Sequence, residues 1–153
     1  MIERQGQLWD FWNNGALCCV TTNGSVRHDG KAVMGRGCAY DASQRFPKLP
    51  RQLGALLTVL GNKVYYFDDY RLFTFPTKRR WHEKADLELI ARSASQLIAL
   101  TRGEFREVYL PRPGCGNGGL AWTAVKPILE VLPDKFIVIT NNGRNAKRKT
   151  HTD

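Results

Sequence analysis

The segment Val108-Tyr109-Leu110-Pro111-Arg112-Pro113-Gly114-Cys115-Gly116-Asn117-Gly118-Gly119-Leu120-Ala121-Trp122 decides the fold class. Residues 107–110 read as a strand and residues 111–119 as a glycine-rich loop. From 120 to 132 the residues Trp122, Val125, Leu129 and Leu132 share one face of a helix. Strand, loop and helix in that order are the building unit of an α/β sheet. Loops of this kind line the carboxyl edge of the sheet, where open α/β proteins bind ligands. Glycines let backbone N–H groups approach an anion, and the helix that follows adds the positive end of its dipole. A diphosphate is the natural guest; a tight turn that binds nothing is the alternative. The loop is not a P-loop, since no Gly-Lys-Ser/Thr follows, nor a Gly-x-Gly-x-x-Gly fingerprint with a ribose-binding acid downstream.

Working outward, the pattern repeats. Residues 16–21 are a nearly continuous apolar run, as in a strand buried on both faces. A second long loop follows, from Asn23 to about Gly37, and a loop this long in a compact domain is usually functional or disordered. Its glycines and small residues suit wrapping a ligand. Asn23, at the strand end, can hydrogen-bond a sugar hydroxyl or form an ordinary Asn-Gly turn. Residues 49–60 read as a helix stopped by Gly61-Asn62. Residues 63–67 and 71–75 flank Asp68-Asp69-Tyr70 and predict a hairpin or two adjacent strands. Leu87, Ile90, Ala94, Leu97 and Ile98 recur at helical steps within residues 85–102, and residues 136–140 make a last buried strand.

Phe75-Pro76-Thr77-Lys78 ends a further predicted strand and brings Lys78 to the same edge as both loops. Beside aromatic residues and the cations Arg79 and Arg80, its pKa can fall, which frees a neutral amine as nucleophile or base. A solvated lysine in a basic run is the plainer reading.

At 153 residues the chain fits one domain, which buries roughly 70% of its unfolded surface. No apolar stretch approaches the roughly 20 residues that span a bilayer, and the first residues lack the apolar core of a secretory signal. A cytoplasmic location without membrane contact is expected. The four cysteines, Cys18, Cys19, Cys38 and Cys115, then read as free thiols. The three histidines, His28, His82 and His151, have no metal-ligand spacing, so neither a metal nor a cofactor is expected. The formal net charge of +9 attracts polyanions, either nucleic acid or a phosphate-bearing substrate. Part of it lies in a basic C-terminal tail, residues 144–153, expected to be mobile and either solvated or in contact with nucleic acid.

Four motifs in order, Thr22-Asn23-Gly24, Val33-Met34-Gly35-Arg36-Gly37-Cys38-Ala39, Phe75-Pro76-Thr77-Lys78 and Gly114-Cys115-Gly116-Asn117-Gly118-Gly119-Leu120-Ala121-Trp122, resemble the macrodomain family, the ADP-ribose-binding fold. The resemblance runs from Gly6-Gln7-Leu8 to Thr140-Asn141-Asn142 and is greatest to the branch with the DNA ADP-ribosyl glycohydrolase antitoxins and the terminal ADP-ribose glycohydrolase. It implies a three-layer α/β/α macrodomain over residues 1–143, with a central mixed sheet. It also implies a monomeric hydrolase that removes a single ADP-ribose from a thymine base of DNA or from an acidic side chain of a protein. The antitoxins carry a further toxin-binding region for which this length leaves no room, so a stand-alone repair or stress enzyme is expected.

By the same resemblance, Gln7 stands near the position where many macrodomains read the adenine amino group with an Asp. An amide accepts that bond less strongly than a carboxylate. Asn23 orients the distal ribose, and Met34, Gly35, Arg36 and Gly37 hold the diphosphate together with Cys115, Gly116, Asn117, Gly118 and Gly119. Thr22, Lys31, Val33 and Leu120 complete the binding set, and Asn142 flanks the adenine. The lysine matching Lys78 is associated with catalysis in this branch, by attack on the anomeric carbon or by activation of the adjacent hydroxyl for ring opening. Some relatives carry an acid where this chain has Asn117 and Ala121, so His28 is the remaining candidate proton shuttle. Elsewhere in the family, phosphatases act on ADP-ribose 1″-phosphate and readers bind ADP-ribose without turnover. Both stay open as alternatives.

Overall fold

Strand β2 (Leu17–Asn23) organises the molecule, because its alternate side chains enter two different cores. Leu17 and Cys19 pack with Ile90, Ala94 and Leu97 of helix α4 (Leu87–Leu100) and with Val125 and Leu129 of α5 (Trp122–Leu129). Cys18 and Val20 pack on the other face, against α1 (Leu8–Asn13), α2 (Gly37–Arg45) and α3 (Leu49–Leu60). The sheet therefore lies between two helical layers, which is the α/β/α arrangement expected. Adjacent residues on opposite faces also explain why Cys18 and Cys19 do not pair; all four cysteines are free.

The computed structural model describes residues 1–140; Asn142, the expected domain limit at 143 and the basic segment 144–153 lie outside the described residues. The other strands are β1 (Ile2–Gln5), β3 (Tyr66–Phe67), β4 (Leu72–Lys78), β5 (Val108–Pro111) and β6 (Phe136–Thr140). They form a six-stranded sheet in the order β1-β6-β5-β2-β4-β3. Every neighbour is parallel except the short edge strand β3, which runs antiparallel to β4 and makes the sheet mixed. Leaving β2 the chain moves towards β4, and leaving β5 it moves towards β6. The boundary between β2 and β5 is thus the switch point of the topology, the place where open α/β sheets bind ligands at the carboxyl ends of their strands.

The sequence reading assigned no element before residue 16 and so missed β1 and α1, and three further elements differ from it. Helix α2 follows the first loop directly, and it buries only Ala39 and Ala42, a stripe too small to register as amphipathic. The strand expected over residues 63–67 shrinks to Tyr66–Phe67, followed by a 3-10 turn at Asp68–Tyr70. Arg71 closes that turn at φ 49° and donates to the carbonyls of Trp12 and Ala16, each at 2.9 Å. Helix α5 starts at Trp122 rather than Leu120, whose N–H is committed to the Gly114 carbonyl at 2.9 Å.

Candidate functional site

The two glycine-rich loops follow β2 and β5, the neighbouring strands at the switch point. In the first loop, Asn23 acts as a clamp. Its Oδ1 accepts the Ser25 N–H at 2.9 Å and its Nδ2 donates to the Val33 carbonyl at 3.1 Å, while Val33 N–H donates to the Ser25 carbonyl at 3.1 Å. The start and end of the loop are thereby tied together, and the second Nδ2 N–H of Asn23 has no acceptor among the described residues.

Between them, residues 26–32 make an excursion closed by a bridge between Val26 and Ala32. It docks on α3, where Ala32 N–H donates to the Pro50 carbonyl at 2.8 Å. A methyl group on Gly54 of α3 would overlap the Gly30 carbonyl oxygen, so this mid-helix position requires glycine. His28 is exposed at the tip, and half-buried Lys31 belongs to the same excursion.

Beyond Val33 the buried Met34 anchors the chain, and Gly35, Arg36 and Gly37 are exposed as α2 begins. Among the described residues, the amides of Met34, Gly35, Arg36 and Gly37 have no acceptor.

The second loop is shaped by Gly114 and Gly119, both in the left-handed region at φ 77° and 75°. Cys115 N–H donates to the Arg112 carbonyl at 3.3 Å and Gly119 N–H to the Gly116 carbonyl at 3.2 Å. The turn itself therefore uses two of the five amides expected to face the ligand. Those of Gly116, Asn117 and Gly118 have no acceptor among the described residues. Leu120 is half-buried beneath the loop and packs on the core. The loops meet where a Cβ on Gly37 would lie 3.6 Å from Asn117 Nδ2. Two short runs of open donors thus come together at the switch point, and anions bind readily to such nests.

Lys78 ends β4 as the register partner of Asn23. Its Nζ donates to the Trp81 carbonyl at 3.3 Å, and its own carbonyl accepts from Asn62 Nδ2 at 3.1 Å. Partial burial holds the ammonium pKa below the usual lysine value, and the Arg36 guanidinium lowers it further. The cation that matters comes from the first loop: Arg79 is paired with Asp86 at 3.0 Å, and Arg80 is exposed.

The segment after Lys78 joins both loops. Gly24 N–H donates to the Arg79 carbonyl at 3.1 Å, Trp81 N–H to Ser25 Oγ at 3.0 Å, and Ala85 N–H to the Gly118 carbonyl at 2.9 Å. Ser25 and Trp81 carry no motif, so sequence reasoning missed them. Gln7 is the N-cap residue of α1, and its neighbour Gly6 donates to the Thr140 carbonyl at 3.1 Å, which puts Gln7 where β1 and β6 end. Thr22 is buried, and its carbonyl accepts from Thr77 Oγ1 at 3.5 Å.

Among the described residues no group of His, Cys, Asp and Glu could hold a metal ion, and no helix is long and apolar enough to cross a membrane.

No family model matches the chain. It is 36% identical over 104 residues, 61% of its length, to a DNA ADP-ribosyl glycohydrolase of Thermus aquaticus, of which the match covers 29%. It is 31% identical over 121 residues, 70% of its length, to a protein of the same name from Mycobacterium tuberculosis, of which the match covers 34%. The chain thus spans about a third of the length of the curated relatives it matches. Among solved structures, the macrodomain of Mycobacterium tuberculosis DarG aligns with a TM-score of 0.71 and 26% identity, over 90% of this chain and 95% of that one.

Proposed function

Because the chain belongs to the macrodomain family and is similar to the DarG macrodomains, we propose that it is an ADP-ribosyl glycohydrolase that removes a single ADP-ribose from a nucleobase of DNA. The observation that carries this reading is the convergence of two runs of open amides with a half-buried lysine at one sheet edge. The amides of residues 34–37 and 116–118 hold the diphosphate, and Asn23 offers its remaining N–H to the distal ribose. Gln7 faces the adenine. The names of the curated relatives and the formal charge of +9 support DNA as the substrate.

In this reading the neutral Lys78 amine donates its lone pair to the anomeric carbon of the distal ribose. The bond to the base breaks, and the base leaves with the electron pair and takes up the proton that the lysine nitrogen sheds on bonding to carbon. Water then replaces the lysine and restores the free amine. His28 receives no step, because it sits at the tip of an excursion docked on α3.

The test is to incubate the protein with thymine-ADP-ribosylated oligonucleotide and with glutamate-ADP-ribosylated protein in parallel, and to follow free ADP-ribose. Release from the oligonucleotide that is lost in Lys78→Ala is the expected result. Release from neither substrate, with tight ADP-ribose binding by calorimetry, would make the protein a reader instead.

A further inference from the structure

Trp81 is an exposed aromatic whose backbone is fixed on both sides by groups at the site. The residue is 52% exposed, yet its N–H donates to Ser25 Oγ at 3.0 Å and its carbonyl accepts from Lys78 Nζ at 3.3 Å. The ring has one aromatic neighbour among the described residues, His82, edge-on at 5.4 Å. The ring thus adds little to the core, while its backbone is held by Lys78 itself and by Ser25 of the first loop.

Two cations, Arg80 and Lys84, stand within three residues of it in sequence. Arg80 is exposed, and the Lys84 stem would lie 3.6 Å from a Cβ on Gly119 in the second loop. An exposed aromatic in a basic segment, its backbone bonded to the Lys78 amine, has the character of a single-strand stacking platform. An acidic side chain offers no ring to stack on it. A base does.

Resting on the reading of the site given above, we infer that Trp81 stacks on the nucleobase that carries the ADP-ribose, taken from single-stranded DNA, with Arg80 and Lys84 against the flanking phosphates. Stacking of this kind is lost on truncation to alanine and largely kept by another aromatic.

The test compares wild type with Trp81→Ala and Trp81→Phe. On thymine-ADP-ribosylated single-stranded oligonucleotide, Trp81→Ala is expected to lower kcat/KM by about 5- to 100-fold, with most of it restored by Trp81→Phe. Turnover of glutamate-ADP-ribosylated peptide and calorimetric affinity for free ADP-ribose should be unchanged. Equal loss on oligonucleotide and peptide would overturn the inference in favour of a role in positioning Lys78, as would an unchanged rate on the oligonucleotide. Should wild type hydrolyse neither substrate, the glycohydrolase reading fails on its own, and Trp81 is judged by binding. Tighter binding of the modified oligonucleotide than of free ADP-ribose, abolished in Trp81→Ala, would uphold stacking; equal affinities would end it.

Discussion

Asn23 and Lys78 stand opposite each other at the last register position of β2 and β4, one step past an irregularity that leaves Thr77 without a partner on β2. An extra residue in a strand reverses the alternation of side chains beyond it, so the bulge re-aims Lys78. Thr77 is itself held in place, since its carbonyl accepts the Asp86 N–H at 2.9 Å and its hydroxyl donates to the Thr22 carbonyl at 3.5 Å.

The depressed pKa of Lys78 gives a prediction with a sign. The reactive neutral amine grows as pH rises through that lowered value, so the single-turnover rate should climb with pH and level off below the ordinary lysine range. Lys78→Met should abolish this profile and reduce the rate by about 10²-fold or more. The folded state disfavours charged Lys78 at pH values below both its folded and unfolded pKa. Lys78→Met should therefore match or exceed the wild-type Tm at neutral pH, and the difference should fade as pH rises through the lowered value towards the unfolded one.

Gly116 and Gly118 separate ligand contact from loop construction. A Cβ on Gly116 meets nothing within 4 Å, whereas one on Gly118 would lie 2.5 Å from the Gly114 carbonyl oxygen and 2.7 Å from Ala85 Cβ. Gly116→Ala should leave Tm unchanged while weakening ADP-ribose binding. Gly118→Ala should lower both, with a stability loss of about 1–3 kcal/mol. Calorimetric titration beside thermal unfolding distinguishes the two.

Asp86 caps α4 by accepting the N–H groups of Glu88 and Leu89 at 2.9 and 3.2 Å, and it pairs with Arg79. The bond from Leu89 leads in holding its carboxyl below the usual aspartate range, with Arg79 and Glu88 assisting. Asp86→Ala should cost about 1 kcal/mol at neutral pH. A carboxylate with a lowered folded pKa stabilises above its unfolded pKa and loses that effect as pH falls through the folded one. The difference between wild type and variant should close in acid, which denaturant melts at several pH values would reveal.

Much of this was legible in the sequence because it depends on patterns of several residues. The apolar run behind β2, the helical period of α4 and the glycines of both loops each repeat a local rule. Lys78 could be brought to the right edge because Phe75-Pro76-Thr77-Lys78 ends a strand. What escaped lacks such a repeated pattern, or depends on a single long-range contact. Alanines alone mark the buried side of α2, and the commitment of the Cys115 and Gly119 amides follows from the turn's own closure. Arg36, over forty residues away in sequence, replaces Arg79 and Arg80 as the cation beside Lys78 because Asp86 engages Arg79.

The first glycine loop is fastened to α3 through Pro50 and Gly54, the second to Ala85 and Ile90 at the start of α4. Those helices lie on opposite faces of the sheet, so the two loops hang from different outer layers and the sheet acts as the spacer of a calliper. The gap is then a readout of layer spacing. Substitutions deep in either core, far from any ligand atom, should alter grip before they alter the fold.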